Sequence, residues 1–334
     1  MIRIRRVLAS CINADHPQRG MIGAFQAVLG PEQTFEYDYL SRMRQGLSKS
    51  EVNRELVQAA IEARPDWLWL QLQDLGVIES RTLREIRGAL PKCVITHWMG
   101  DCRTTIAATL AAICREAHMT LVSNMGQLPM FLAAGSREAR YLQIGLDWEE
   151  DVLGEPPWTP PFRVPDVVFC GGYYGESFPG TKDRLEACRA LAGASLDFGV
   201  VSPTGWPAGV PVVGACHVKQ QHHVWKRARV CINSNHFNDI ELYYSDRQII
   251  SMASGKPLVC QYVPGLEREF SNGEHLLWYK STEELVQNVR GLLADVTAAE
   301  RVGRAGRDLV CAAHTWEHRI RQILPDVERV ASGL

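Results

Sequence analysis

The chain has 334 residues, 46% hydrophobic and 22% charged, which is enough for a full apolar core and suits two α/β domains better than one. A formal net charge of −2 argues against a protein dominated by nonspecific nucleic-acid binding, and no apolar run reaches the length of a membrane span or a signal-peptide core. Ten cysteines, scattered singly without a Cys-x-x-Cys pair, point to reduced thiols in a cytoplasm and away from a disulfide framework or a zinc site.

Val7-Leu8-Ala9-Ser10 reads as a short buried strand, followed by a polar loop over 13–20 and an apolar helix through Leu29. A strand that turns through polar residues and glycine into a helix is the ligand-facing edge of a doubly wound sheet. That makes Asp15 and His16 a candidate pair, although no Gly-x-Gly-x-x-Gly accompanies them. Further strands are predicted at 34–39, 66–72, 92–96, 119–123 and 141–147, with helices over 51–63, 80–90, 104–117 and 127–134. Within 51–63, Val52, Leu56, Ala59 and Ala60 share one face, the pattern of an amphipathic helix. This alternation implies a parallel sheet with helices on both faces. Asp101 and His97 follow the fourth strand, where a carboxylate or an imidazole can serve as a general base. The plainer alternative for each of Asp101, His97 and Asp15 is a loop residue bonded to backbone.

Prolines at 156, 157, 160, 161 and 165 mark a linker and hinge. The chain therefore divides into a domain over 1–150, a linker over 151–165, a domain over 166–313 and a terminal helix over 314–334. The second domain opens with a strand at 166–170, directly followed by Gly171 and Gly172. A helix is expected over 181–191, with Lys182 and Arg184 near its start as phosphate partners or merely solvated charges. Strands at 196–201 and 230–233, and helices over 220–228, 281–294, 298–312 and 315–330, complete the α/β pattern. Asn233 and His236 end a strand at the ligand edge, where they contact a ligand or only cap the loop. His217, His222 and His223 are the densest histidine group, without the convergent third ligand that zinc needs.

The stretch from 239 to 258 is the most informative. Ser245 and Asp246 suit a helix N-cap, Ile249, Ile250, Met252 and Ala253 repeat at helical spacing, and Gly255 and Pro257 stop the helix. A helix N-terminus presents free N–H groups and a positive partial charge, which favour phosphate. Arg247 in the first turn adds a bidentate grip on a diphosphate. An ordinary capped helix with a solvated arginine fits the same local pattern.

Ser245-Asp246-Arg247 followed by Met252-Ala253-Ser254-Gly255-Lys256-Pro257 resembles the nucleotide-sugar segment of GT-B glycosyltransferases, and most of all the CgeB-type (spore-maturation-like) family, including phage-type members. Pro264-Gly265-Leu266-Glu267 with Phe270 and Asn272-Gly273-Glu274, then 281–285, then His314-Thr315-Trp316-Glu317-His318-Arg319 follow in the family's order. The resemblance implies a GT-B fold, two Rossmann-like doubly wound domains facing a cleft, with a final helix crossing back to the first domain. It implies a glycosyltransferase that takes a nucleotide-diphosphate sugar as donor substrate, with no cofactor. Gly171, Gly172, Lys182, Arg184, Asn233, His236, Ser245, Asp246, Arg247 and Gly265 would bind the donor. One departure stands out: many retaining members carry a ribose-binding glutamate where this chain has Ile250, so Glu241, Asp246 or another residue must hold the ribose. With no Asp-x-Asp, no metal is expected. The acceptor is left open among a small molecule, a glycan, a protein and a hydroxymethylated base in viral DNA. The DNA version calls for a basic rim built from Arg3, Arg5, Arg6, Arg19, Arg42 and Arg44. A nucleotide-sugar epimerase and a non-catalytic sugar-nucleotide binder are the competing readings.

Overall fold

A computed structural model describes residues 2–11, 18–72 and 76–334, and it resolves into two compact units. The first comprises Met1–Gly145 and Trp316–Leu334, the second Leu146–Thr315. The proline-rich residues up to 165 therefore group with the second unit.

The first unit runs β1 (Val7–Cys11), α1 (Arg19–Leu29), β2 (Thr34–Asp38), α2 (Tyr39–Arg44), α3 (Lys49–Ala63), β3 (Trp67–Gln71), α4 (Ser80–Ala89), β4 (Val94–Met99), α5 (Ala108–Glu116), β5 (Met119–Val122), α6 (Leu128–Ala133) and β6 (Ala139–Tyr141). Its six strands form one sheet in the order β2-β1-β3-β4-β5-β6, parallel throughout. β1, β3, β4 and β5 are buried along their whole length, as expected of a sheet covered on both faces. Ser48 and Glu51 form a capping box at the head of α3, which satisfies two backbone donors reciprocally.

The second unit runs β7 (Val167–Cys170), α7 (Thr181–Gly193), β8 (Phe198–Val201), β9 (Val212–Gly214), α8 (Gln221–Trp225), β10 (Val230–Asn233), α9 (Asp246–Ala253), β11 (Leu258–Gln261), β12 (Leu277–Tyr279), α10 (Thr282–Ala294) and α11 (Val296–Ala313). Its sheet has the order β12-β11-β10-β7-β8-β9, again parallel. The chain winds one way from β7 to β9 and the other way from β10 to β12. The reversal leaves a crevice between the carboxyl ends of β7 and β10, which is where doubly wound sheets bind ligands.

The last helix, α12 (Trp316–Ala331), belongs to the first unit. Trp316 lies 5.1 Å from Trp98 and 6.5 Å from Trp69 between ring centroids. Ile320, Ile323 and Val327 follow it into the core, each contributing about 1.5–3 kcal/mol by burial. The close approach needs Gly145: a Cβ there would sit 2.5 Å from the Trp316 backbone.

Several expected elements begin or end elsewhere. The helix expected to start at 104 begins at Ala108, and 142–147 is not strand. Ser80 does not cap α4; Glu79 occupies the cap position, because Asn53 Oδ1 accepts from the Glu79 N–H at 2.9 Å and from Thr82 Oγ1 at 2.5 Å. Within the segment expected to be a linker, Asp147 Oδ1 accepts from Glu149 and Glu150 N–H and starts a π-helical turn over Trp148–Leu153.

Candidate functional site

Arg184 is the centre of the β7–β10 crevice. It lies on the first turn of α7 and is buried. Its Nη1 donates to the Gly172 carbonyl at 2.9 Å and its Nη2 to the Ser234 carbonyl at 2.8 Å, so one guanidinium ties together the loops that follow β7 and β10. The group sits 5.4 Å from the Phe169 ring centroid. Burial, and then the charge of Arg247, pull its pKa down to about 9.

Arg247 is the second cation of this site. Its Nε would lie 3.9 Å from a Cβ on Gly171, and that Nε is buried without a hydrogen-bond partner. Among the described residues neither Arg184 nor Arg247 is in an ion pair, and the Nε of each is buried without a hydrogen-bond partner. The neighbouring polar atoms are similarly unmatched: Arg184 Nε, Asn233 Oδ1, Asn235 Nδ2, Ser245 Oγ and both amide atoms of Gln248 are buried without partners. Buried polar atoms are normally satisfied, and leaving several open in one place costs stability unless a ligand completes them.

The expected donor residues divide accordingly. Gly172 and Arg247 reach the crevice, and none of the described residues accepts from the Gly172 N–H. The Gly171 N–H, by contrast, goes to the Val201 carbonyl at 3.1 Å; the glycine is required because a Cβ would strike the Phe169 ring at 2.8 Å. Arg184 is not a solvated phosphate partner but the clamp described above. Lys182 points away: its side chain is 84% exposed and sits 3.9 Å from Glu186. Asn233 Nδ2 donates to Asn235 Oδ1, which also accepts from the Ser245 N–H at 3.0 Å. Ser245 holds the N-cap position of α9 but its side chain makes no cap bond. Asp246 Oδ1 accepts from the Arg247 N–H at 2.8 Å. Gly265, at φ +83°, packs its loop against Glu241 and Leu242, and the Leu242 N–H donates to Pro264 O at 2.8 Å, which fixes the loop leading into α9.

His236 has its Nδ1 3.0 Å from the Pro179 carbonyl, and burial, then the charges of Arg184 and Arg247, pull its pKa down to about 3. At Ile250 the side chain is buried and apolar. Glu241, one candidate for ribose binding, is paired with Arg268 at 2.6 Å.

In the first unit, Asp101 follows β4 with its side chain 58% exposed, 3.9 Å from Arg103. His97 is fully buried, with Nε2 2.9 Å from the Leu72 carbonyl oxygen; an imidazole so covered cannot meet an acceptor from solvent, which corrects its assignment as a base. Asp15 lies outside the described residues. Arg3, Arg5 and Arg6 precede β1, at the amino edge of a parallel sheet whose carboxyl edge carries Asp101. Arg42 is taken by Glu55 at 2.7 Å. Arg3, Arg5 and Arg6 therefore stand away from Asp101, whereas Arg19 and Arg44 lie on the helices that follow β1 and β2.

Two features were missed in the sequence. Gln248 is fully buried on α9; the available signal was a polar residue inside the apolar stripe of that helix. Asp151 is pushed up to about 8 by burial, with the charges of Asp147 and Asp246 adding to the rise and the Asp147 backbone and Lys219 opposing it. Beside it Glu150 pairs with Lys219.

Comparison with known structures bears on the fold. HepE of Anabaena, in complex with UDP and glucose, has a TM-score of 0.63 at 12% identity, covering 99% of this chain and 100% of that one. A glycosyltransferase from Rickettsia africae gives 0.64 at 10% identity, with 100% of each chain covered. The chain has the GT-B fold. A putative UDP-N-acetylglucosamine 2-epimerase from Listeria monocytogenes shares that fold, with a TM-score of 0.56 at 11% identity over 100% of this chain and 98% of that one. Residues 182–325 match the glycosyl transferase-like family, a segment that includes Arg184, the loop after β10 and all of α9. No curated protein matches the chain. No helix among the described residues is long and apolar enough to cross a membrane.

Proposed function

We propose that this GT-B protein transfers a sugar from a nucleotide-diphosphate sugar to an acceptor hydroxyl without a metal. The observation that carries the reading is the pair of guanidiniums, Arg184 and Arg247, near each other at the β7–β10 crevice, neither in an ion pair among the described residues. Like charges in desolvated surroundings favour an anion between or beside them. A pyrophosphate fits the fork of Arg247, and the Gly172 N–H supplies a further donor. The same groups stabilise the charge that builds on the leaving diphosphate, the task a metal would otherwise perform. HepE was solved with UDP and with UDP-glucose, which makes uridine diphosphate sugars the first donors to test.

Asp101 is the candidate base on the first unit, being exposed at the carboxyl edge of its sheet. Arg247, three positions before Ile250, supports a CgeB-type reading of the chain. The position of Arg3, Arg5 and Arg6 at the other edge favours a small hydroxylated acceptor or a glycan over duplex DNA, whose binding rests on phosphate contacts. Ten free thiols suit a cytoplasmic setting.

Isothermal calorimetry with nucleoside diphosphates and their sugars tests the reading. The expected result is binding of one nucleotide family at about micromolar Kd, near −8 kcal/mol, with release of the nucleoside diphosphate once an acceptor is supplied. Absence of heat with every nucleotide would overturn it. Conversion of the sugar nucleotide to an epimer with no acceptor present would assign the epimerase reading instead.

A further inference from the structure

Three aromatic rings close a triangle beside the crevice. Tyr174 and Phe178 lie 5.3 Å apart between centroids, Tyr174 and His236 5.3 Å, and Phe178 and His236 4.6 Å. Tyr174 is 54% exposed and Phe178 41%. Grouped exposed aromatics on a soluble protein mark a contact surface more often than isolated ones do. Tyr174 and Phe178 also precede the segment 182–325 that the family match covers, so that match assigns them no role.

The group is held in place by the elements of the donor site. A Cβ on Gly172, whose carbonyl is held by Arg184, would come within 3.0 Å of Tyr174 Cζ, so the tyrosine ring lies over that glycine. Phe178 sits in a tight turn, its N–H donating to Gly175 O at 3.1 Å and its carbonyl accepting from the Thr181 N–H at 3.2 Å. His236 is anchored through Nδ1 to Pro179 O. A carbonyl only accepts, so Nδ1 carries the proton and Nε2 keeps its lone pair.

We propose that Tyr174, Phe178 and His236 form a carbohydrate subsite, in which the Tyr174 and Phe178 rings take the C–H face of a pyranose and His236 Nε2 accepts from one of its hydroxyls. The reading rests on the donor site proposed above, because the triangle adjoins the loop that would hold the diphosphate. The ring planes are inclined at 45°, 58° and 75° to one another. A pyranose presents a C–H face that packs on an aromatic ring and hydroxyls on its rim that reach an acceptor at the edge, and the group supplies both kinds of contact. Apolar walls with a few placed polar groups are the usual makeup of a small-ligand subsite, and tyrosine offers both.

The sugar is either the one carried by the donor or one belonging to the acceptor, and two probes separate them. The Tyr174→Ala/Phe178→Ala double variant is compared with wild type by calorimetry with UDP and UDP-glucose, and by saturation-transfer NMR with methyl β-glucopyranoside on the UDP-saturated protein. Donor-side recognition predicts about tenfold weaker UDP-glucose binding with UDP unchanged. Acceptor-side recognition predicts loss of saturation transfer to the glycoside with both nucleotides unchanged. Equal behaviour of variant and wild type on both probes overturns the subsite, as does a wild type that gains nothing from the glucose of UDP-glucose and shows no transfer to the glycoside. Failure of the donor reading is distinct: the wild type would then not bind UDP, and the glycoside probe, run without nucleotide, would still decide the subsite.

Discussion

Arg184 donates from Nη2 to the carbonyl of Ser234 at 2.8 Å, across 50 positions of sequence. With its second bond to Gly172, it fixes the spacing of the two loops that frame the crevice. Arg184→Met keeps much of the volume and leaves both carbonyls without their charged donor. The expected cost is about 2–3 kcal/mol, read by differential scanning calorimetry as a Tm lower by roughly 5–10 °C. An unchanged Tm would mean that the two loops hold their places without the clamp.

Arg247 has the opposite profile. It forms no ion pair among the described residues and its Nε is unmatched, so the fold gains little from it. Arg247→Ala is expected to leave Tm nearly unchanged and to weaken nucleoside diphosphate binding about 10- to 100-fold, the value of a charge-assisted pair. Arg247→Lys should recover part of that loss, since an ammonium keeps the charge but not the fork. Calorimetric titration of the three proteins decides it.

Asp151 gives a pH signature. Its carboxyl is pushed up to about 8, so it is protonated in the folded chain at pH values where the unfolded chain has already lost the proton. Its contribution is fully present below the unfolded pKa of roughly 4 and is lost as pH rises through about 8. Asp151→Asn mimics the protonated acid and removes this loss. In urea unfolding, the stability of the variant minus that of wild type should grow steadily from about pH 5 to pH 8. Parallel curves would contradict the assignment.

Gly180 lies at φ +65°, and a Cβ there would sit 2.7 Å from the His236 Cα. Gly180→Ala therefore forces the turn before α7 away from the loop after β10. A loss of about 2 kcal/mol or more is expected from the strained φ and the clash together. Weaker nucleotide binding should accompany the lower Tm, both being measurable by thermal shift with and without UDP.

Periodicity and stop signals made the α/β alternation readable, because β1, β3, β4 and β10 are largely apolar runs and α9 ends at Gly255 and Pro257 as its residues suggest. β9 and β12 were missed, each having only three residues, too few for a pattern to register, and β6 ends where its strand was expected to begin. The start of α4 depends on Asn53, 26 positions away, which capping arithmetic along the chain cannot see. In the site, Arg247 was legible through the motif around it. The role of Arg184 was not, because the same residue on a helix start reads as solvated charge until its burial is known. Gln248 shows the same limit, since only packing reveals that both ends of its amide are unmatched.

The most direct test of the central claim is a crystal structure of the protein with UDP. The account predicts the pyrophosphate at the crevice between β7 and β10, with the Arg247 guanidinium and the Gly172 N–H within hydrogen-bond distance of its oxygens. A diphosphate bound elsewhere, with Arg247 making no contact to it, would contradict the account.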